Sequence, residues 1–153
     1  MVHLAQVNAA VLRWPVDDPR LVDFVAAVSH IHRLADAAPG FVWRHPDTHL
    51  GLHRLEGDGV TIVNLSVWTD YEALHAFVYR DDHGRLVRRR GRWFLPTTRP
   101  STALWWVSDD ERPDPEAALA RLRYLRRVGP TSRASTVRRR LTPAGSPERR
   151  PRR

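Results

Sequence analysis

Val60-Thr61-Ile62-Val63-Asn64-Leu65-Ser66-Val67-Trp68 is the stretch on which the fold turns. It is dense in β-branched residues and alternates strictly, so it reads as a strand. Val63, Leu65 and Val67 fall on one face, and Ile62, Asn64, Ser66 and Trp68 fall on the other. The first face is wholly apolar, which suits helices packed over it. The second mixes an amide, a hydroxyl and an indole, which does not suit a dry core.

Working upstream, Gly57-Asp58-Gly59 marks a hairpin turn and Phe41-Val42-Trp43-Arg44 a short aromatic strand. Before that, Asp17-Asp18-Pro19 starts a helix, an acidic cap followed by proline in the first turn. Leu21, Phe24, Val25, Val28 and Ile31 recur at helical spacing, and Ala38-Pro39-Gly40 ends the run. Val2 to Leu12 alternates as a first strand, with Leu4, Gln6, Asn8 and Ala10 on one face. Downstream, Thr69-Asp70-Tyr71-Glu72 has the form of a capping box. The helix it opens carries Tyr71, Leu74, Phe77 and Val78 on one face, and Asp81-Asp82 offers a new cap before His83 to Arg92. Thr102 to Val107 (TALWWV) is the last strand, and Asp114-Pro115-Glu116 starts a helix with Leu119, Leu122 and Leu125 as its stripe. The order gives an α+β protein with a ferredoxin-like βαββαβ protomer and an antiparallel sheet.

Composition narrows the classes. The 153 residues hold no cysteine, which excludes disulfide scaffolds, thiolate metal sites and cysteine nucleophiles. No apolar run approaches the roughly 18 residues of a membrane span, and a cytoplasmic location is expected. All 25 basic residues are arginine, but they are unevenly placed. Residues 133–153 carry eight arginines against Glu148 alone, whereas residues 1–132 carry 17 arginines against 16 acids. The division expected is therefore a nearly neutral domain over 1–132 and a basic, disordered tail over 133–153. Such a tail could hold nucleic acid without sequence preference, but a basic tail on a neutral fold is weak support for that.

If helices take the Val63 face, the Asn64 face is left open, with Gln6 and Asn8 beside it and Phe41, Trp43, Trp105 and Trp106 as aromatic candidates. An aromatic sheet face of that size should not stand in water. Two copies packed face to face would cover it, as a homodimer with a partly polar cavity between the sheets. A plain dimer interface is the alternative, since tryptophan is enriched there as well.

Several segments also resemble a known family, the domain of unknown function 3291. They are HLAQVN (His3–Asn8), DDPR (Asp17–Arg20), PGFVWR (Pro39–Arg44), VNLSVW (Val63–Trp68), AFVYRDDH (Ala76–His83), RRRGRWF (Arg88–Phe94), LWWV (Leu104–Val107) and GPT (Gly129–Thr131). The likeness covers about residues 3–132. It implies a dimeric α+β barrel, in the group that includes antibiotic-biosynthesis monooxygenases, haem-degrading monooxygenases and chlorite-dismutase-like proteins. Kinship of fold says little about chemistry. One local pattern says more: cofactor-independent monooxygenases of that group place asparagine and tryptophan four apart on a strand, and Asn64 and Trp68 are similar to that pair. His83 resembles the histidine that follows the next helix.

The resemblance thus implies a cofactor-independent monooxygenase acting on an aromatic or polyketide-type small molecule. Asn64 would orient a substrate oxygen, Trp68 would line the site and His83 would act as base or orienter, with Gln6, Asn8, Trp43, Ser66, Tyr79, Trp105 and Trp106 as the ligand-binding set. The alternative is a non-catalytic small-molecule or haem-binding protein, with His83 or His75 on the iron. No metal site is expected. His45, His49 and His53 recur every four residues, but Pro46 and Gly51 break any helix that would align them. The chain also lacks a GxSxG elbow, a phosphate-binding glycine loop and a dinucleotide fingerprint.

Overall fold

The computed structural model describes residues 1–46, 55 and 59–149, with Asp81 and Asp82 described by their backbone only. Four strands, β1 (Val2–Val11), β2 (Phe41–Arg44), β3 (Thr61–Trp68) and β4 (Thr102–Ser108), form one antiparallel sheet in the order β2-β3-β1-β4. That order is the ferredoxin-like one: the two central strands are first and third in the chain, so each βαβ half must cross over a neighbour. The helices are α1 (Val22–Asp36), α2 (Tyr71–Tyr79), α3 (Asp81–Arg89) and α4 (Pro115–Val128).

Local chemistry places their ends. Asp18 accepts from the Arg20 backbone N–H and opens a 3-10 turn over Pro19–Leu21 that leads into α1. The cap of α2 is Asp70, not Thr69: its Oδ1 accepts from Ala73 N at 2.9 Å. Asp114 caps α4 through the N–H groups of Glu116 and Ala117, and Gly129, at φ 90°, ends it. Gly40 also has a positive φ, and an added Cβ there would collide with Ala73, so only glycine lets β2 start this close to α2.

The two faces of the sheet are covered differently from the expectation. The Val63, Leu65, Val67 face, with Ala5, Val7 and Ala9 of β1 and Ala103, Trp105 and Val107 of β4, is covered by α4 through Ala118, Leu119, Leu122 and Leu125, with Leu55 and Ala134 in the same cluster. The other face is overlaid by α1, α2 and α3, the crossover helices and their extension. Neither face is left open, so the argument for face-to-face pairing of two sheets loses its premise. Strand alternation separates the two faces but does not say which helix each receives; the leucine stripe of α4 completes the apolar face.

Residues 133–149, expected to lack structure, are packed instead. Leu104 and Ser135 exchange both backbone hydrogen bonds, at 3.0 and 2.8 Å, so the chain pairs with the outer edge of β4. Ala134 is buried against the α4 side, and the Trp106 indole donates to the Leu141 carbonyl at 2.7 Å. A polar, arginine-rich segment with no periodicity is held here by backbone pairing, which leaves no pattern in side chains.

Candidate functional site

On the helix-covered Asn64 face, the sheet residues run in rungs. Leu4, Trp68 and Trp106 make an apolar rung, Ala10 and Ile62 another, and between them lie Gln6 with Ser66 and Leu104, and Asn8 with Asn64 and Thr102. The apolar rungs at either end anchor two separate clusters. One joins Ile62 to Phe24 and Val28 of α1 and to Trp93; the other joins Leu4, Trp68 and Leu104 to Ala35 and Leu74. Apart from Leu104 at the β4 edge, the middle rungs give the helices only polar side chains, and a cavity of about 390 Å³ lies above them. That volume is in the range of small-molecule sites.

The floor is partly self-satisfied. Ser66 Oγ accepts from Gln6 Nε2 and from Trp68 Nε1, each at 2.9 Å, which ties β1, β3 and the indole into one unit. Asn8 Nδ2 donates to Thr102 Oγ1 at 2.8 Å. Asn64 stands apart: it is exposed to the cavity, and among the described residues nothing hydrogen-bonds its carboxamide. Trp68 is only 1% exposed. Phe77 stacks on its ring at 5.1 Å and Phe41 meets it edge-on at 5.4 Å, so it acts as a rigid back wall.

His83 reaches the same cavity through a tight junction. Chain direction changes between α2 and α3 at Arg80, and a Cβ on Gly84 would lie 2.9 Å from the Tyr79 carbonyl oxygen. Glycine there lets the first turn of α3 close on the end of α2. His83 Nδ1 then lies 2.9 Å from the Val78 carbonyl, and its ring packs on Phe77 at 4.7 Å. Burial pushes the imidazole below its ordinary pKa, partly offset by the Val78 bond. A neutral ring facing a carbonyl must donate from Nδ1, which leaves Nε2 as an acceptor.

The structure thus gathers Asn64, Trp68 and His83 around one cavity, with Gln6, Asn8, Ser66 and Tyr79. The remaining expected wall residues go elsewhere. A bulge between Phe41 and Trp43 turns Trp43 to the α4 side, opposite Val67. Trp105 is buried on that side too, under the Arg121 guanidinium, and among the described residues its indole N–H has no partner. Trp106 shares the cavity's face, but it packs with the Trp68 cluster and is tied to Leu141. His49 and His53 lie outside the described residues. Among those that are described, no group of three or more His, Asp or Glu could hold a metal ion.

Sequence reasoning missed His32, Arg44, Arg90 and Thr102, all of which line the cavity. Thr102 follows from its register opposite Asn8, but His32 and Arg44 become neighbours of the floor only once α1 and β2 are placed. Arg44 grips Asp36 with a two-pronged contact, Nε to Oδ1 at 2.8 Å and Nη2 to Oδ2 at 3.1 Å. Those bonds hold the Asp36 carboxyl below its usual range.

A ferredoxin-like sheet with a polar-floored cavity under its crossover helices defines an α+β domain built around an internal pocket. The chain belongs to the family described as domain of unknown function DUF3291, whose model matches residues 3–151. The match therefore reaches across most of the arginine-rich C-terminal segment as well. Among solved structures, the chain is similar to SnoaB, a cofactor-independent oxygenase from Streptomyces nogalater. There the identity is 15%, coverage is 74% of this chain and 97% of that one, and the TM-score is 0.46. It is also similar to the NE2512 protein of unknown function from Nitrosomonas europaea, at 17% identity, 75% and 96% coverage and a TM-score of 0.44. No curated protein matches the chain.

Proposed function

We propose that the cavity binds a flat aromatic or polyketide-type small molecule and oxidises it with molecular oxygen, without a bound metal or organic cofactor. The observation that carries this reading is the His83 Nδ1 contact with the Val78 carbonyl, which leaves Nε2 as the basic nitrogen of a ring that lines the pocket. An activated methylene between aromatic rings loses a proton to that nitrogen. The uncommitted Asn64 carboxamide donates to the oxygen where the resulting negative charge collects, a task suited to a preorganised donor in a dry site. The carbanion then reduces oxygen; one oxygen atom stays on carbon as a carbonyl and the other leaves as water. Trp68 holds the back wall, and its indole N–H is spent on Ser66.

The test is oxygen uptake with dithranol, an anthrone, as the probe substrate. Asn64→Ala and His83→Gln should each lower turnover by about 100-fold, the scale of a lost oxyanion donor or general base, with the thermal midpoint unchanged. Wild-type rates in both variants would remove these residues from the mechanism. Binding of dithranol with no oxygen uptake by the wild type would instead favour the non-catalytic binding protein.

A further inference from the structure

The fixed charge on the cavity wall has one sign. The guanidinium groups of Arg44 and Arg90 line it, beside the imidazoles of His32, His45, His75 and His83, and no Asp or Glu whose side chain is described does. Asp36 stands behind Arg44 and outside the lining. Its two-pronged grip occupies the Nε and Nη2 edge of the guanidinium. The opposite edge, with Nη1, has no partner among the described residues. A guanidinium has two such edges, and one carboxylate on the first fixes the plane in which a second can be received.

Register says where that second anion would sit. Arg44 lies opposite Ser66 on β3, so Asn64 is its diagonal neighbour, at a backbone distance of roughly 7–8 Å. One flat ring system can therefore place an oxygen at Asn64 and an acidic substituent at Arg44.

We infer that the Arg44 edge of the cavity is an anion subsite and that the ligand is an aromatic carboxylic acid, its carboxylate paired with the free edge of Arg44. The inference rests on the pocket being the ligand site proposed above, but not on oxidation taking place there. A planar carboxylate matches a single guanidinium edge and lies in the plane of a flat ring system. Asp36 orients Arg44 and at the same time weakens its pull on an anion.

The test is calorimetric titration at low salt with 2-naphthoate and its neutral counterpart, 2-naphthamide. The wild type should bind the naphthoate about tenfold tighter, in line with one partly solvated charge-assisted pair. Arg44→Gln should erase that preference and leave naphthamide affinity as it was. Asp36→Asn should shift the preference the other way, raising naphthoate affinity several-fold, and it guards against a folding defect specific to the arginine variant. Equal affinities in the wild type, or a preference that survives Arg44→Gln, would overturn the subsite and leave the pocket standing. Failure of both probes to bind would overturn the subsite and the pocket together. Absence of oxygen uptake beside a strong naphthoate preference would sink only the oxidation chemistry.

Discussion

The same four strands make two unlike surfaces. On the α4 side every buried sheet position from Ala5 to Val107 in the cluster is apolar and at most 2% exposed, and the leucine stripe of α4 packs on it together with Leu55 and Ala134. On the other side three helices are in place, yet the middle of the sheet stays unfilled. The difference lies in the central rungs. Gln6, Asn8, Asn64, Ser66 and Thr102 cannot be buried against hydrocarbon without partners, so the helices close on the apolar ends and span the middle. More covering elements do not make a drier core; rung chemistry decides.

The largest effect belongs to the dry face. Leu122→Ala, at a position with no exposure, should cost about 4 kcal/mol in denaturant unfolding and leave ligand binding unchanged. A loss under about 1 kcal/mol would mean that α4 does not seal that face as described. Next comes the C-terminal segment. Deleting residues 133–153 breaks the paired Leu104–Ser135 bonds and the Trp106–Leu141 bond, and should cost about 3 kcal/mol. Unchanged stability would return the segment to the disordered tail expected from composition.

On the polar face, Ser66→Ala removes one acceptor serving two donors and should cost about 2 kcal/mol. Its signature would be a shifted Trp68 emission. A neutral outcome in both would show that the floor is held by something other than this hydroxyl.

The smallest effect is set by pH. His83 has its folded pKa depressed below the ordinary 6.5 by burial, so the unfolded chain takes up the proton first as pH falls. Stability should therefore decline as pH drops below about 6.5 and level off once it passes the folded value. A His83→Gln variant should lack this component, and parallel curves for the two proteins would show that His83 is not the group responsible.

Much of this was legible in the residues. The β3 alternation separates an apolar row from a mixed one, and pairing with β1 puts Gln6 and Asn8 beside Ser66 and Asn64, as the alternation in both strands implies. The leucine spacing after Asp114 marks α4 and its buried stripe. His83 was legible only as a residue resembling a motif; its contact with Val78 depends on the tight junction at Gly84. Trp43 was misplaced because a single bulge reverses the parity of a four-residue strand. Trp105 and Trp106 are adjacent, so alternation requires one on each side, and only the packed structure tells which.

The sequence by itself determined the strand and helix order, the two-sidedness of β3 and the absence of cysteine chemistry, because periodicity and composition are local properties. Tertiary structure alone decided which helix covers which face, that residues 133–149 pair with β4, and that Arg44 and His32 meet at one cavity. Those outcomes depend on contacts between residues far apart in the chain. Such contacts are set by which surfaces can exclude water together, and no local pattern records them.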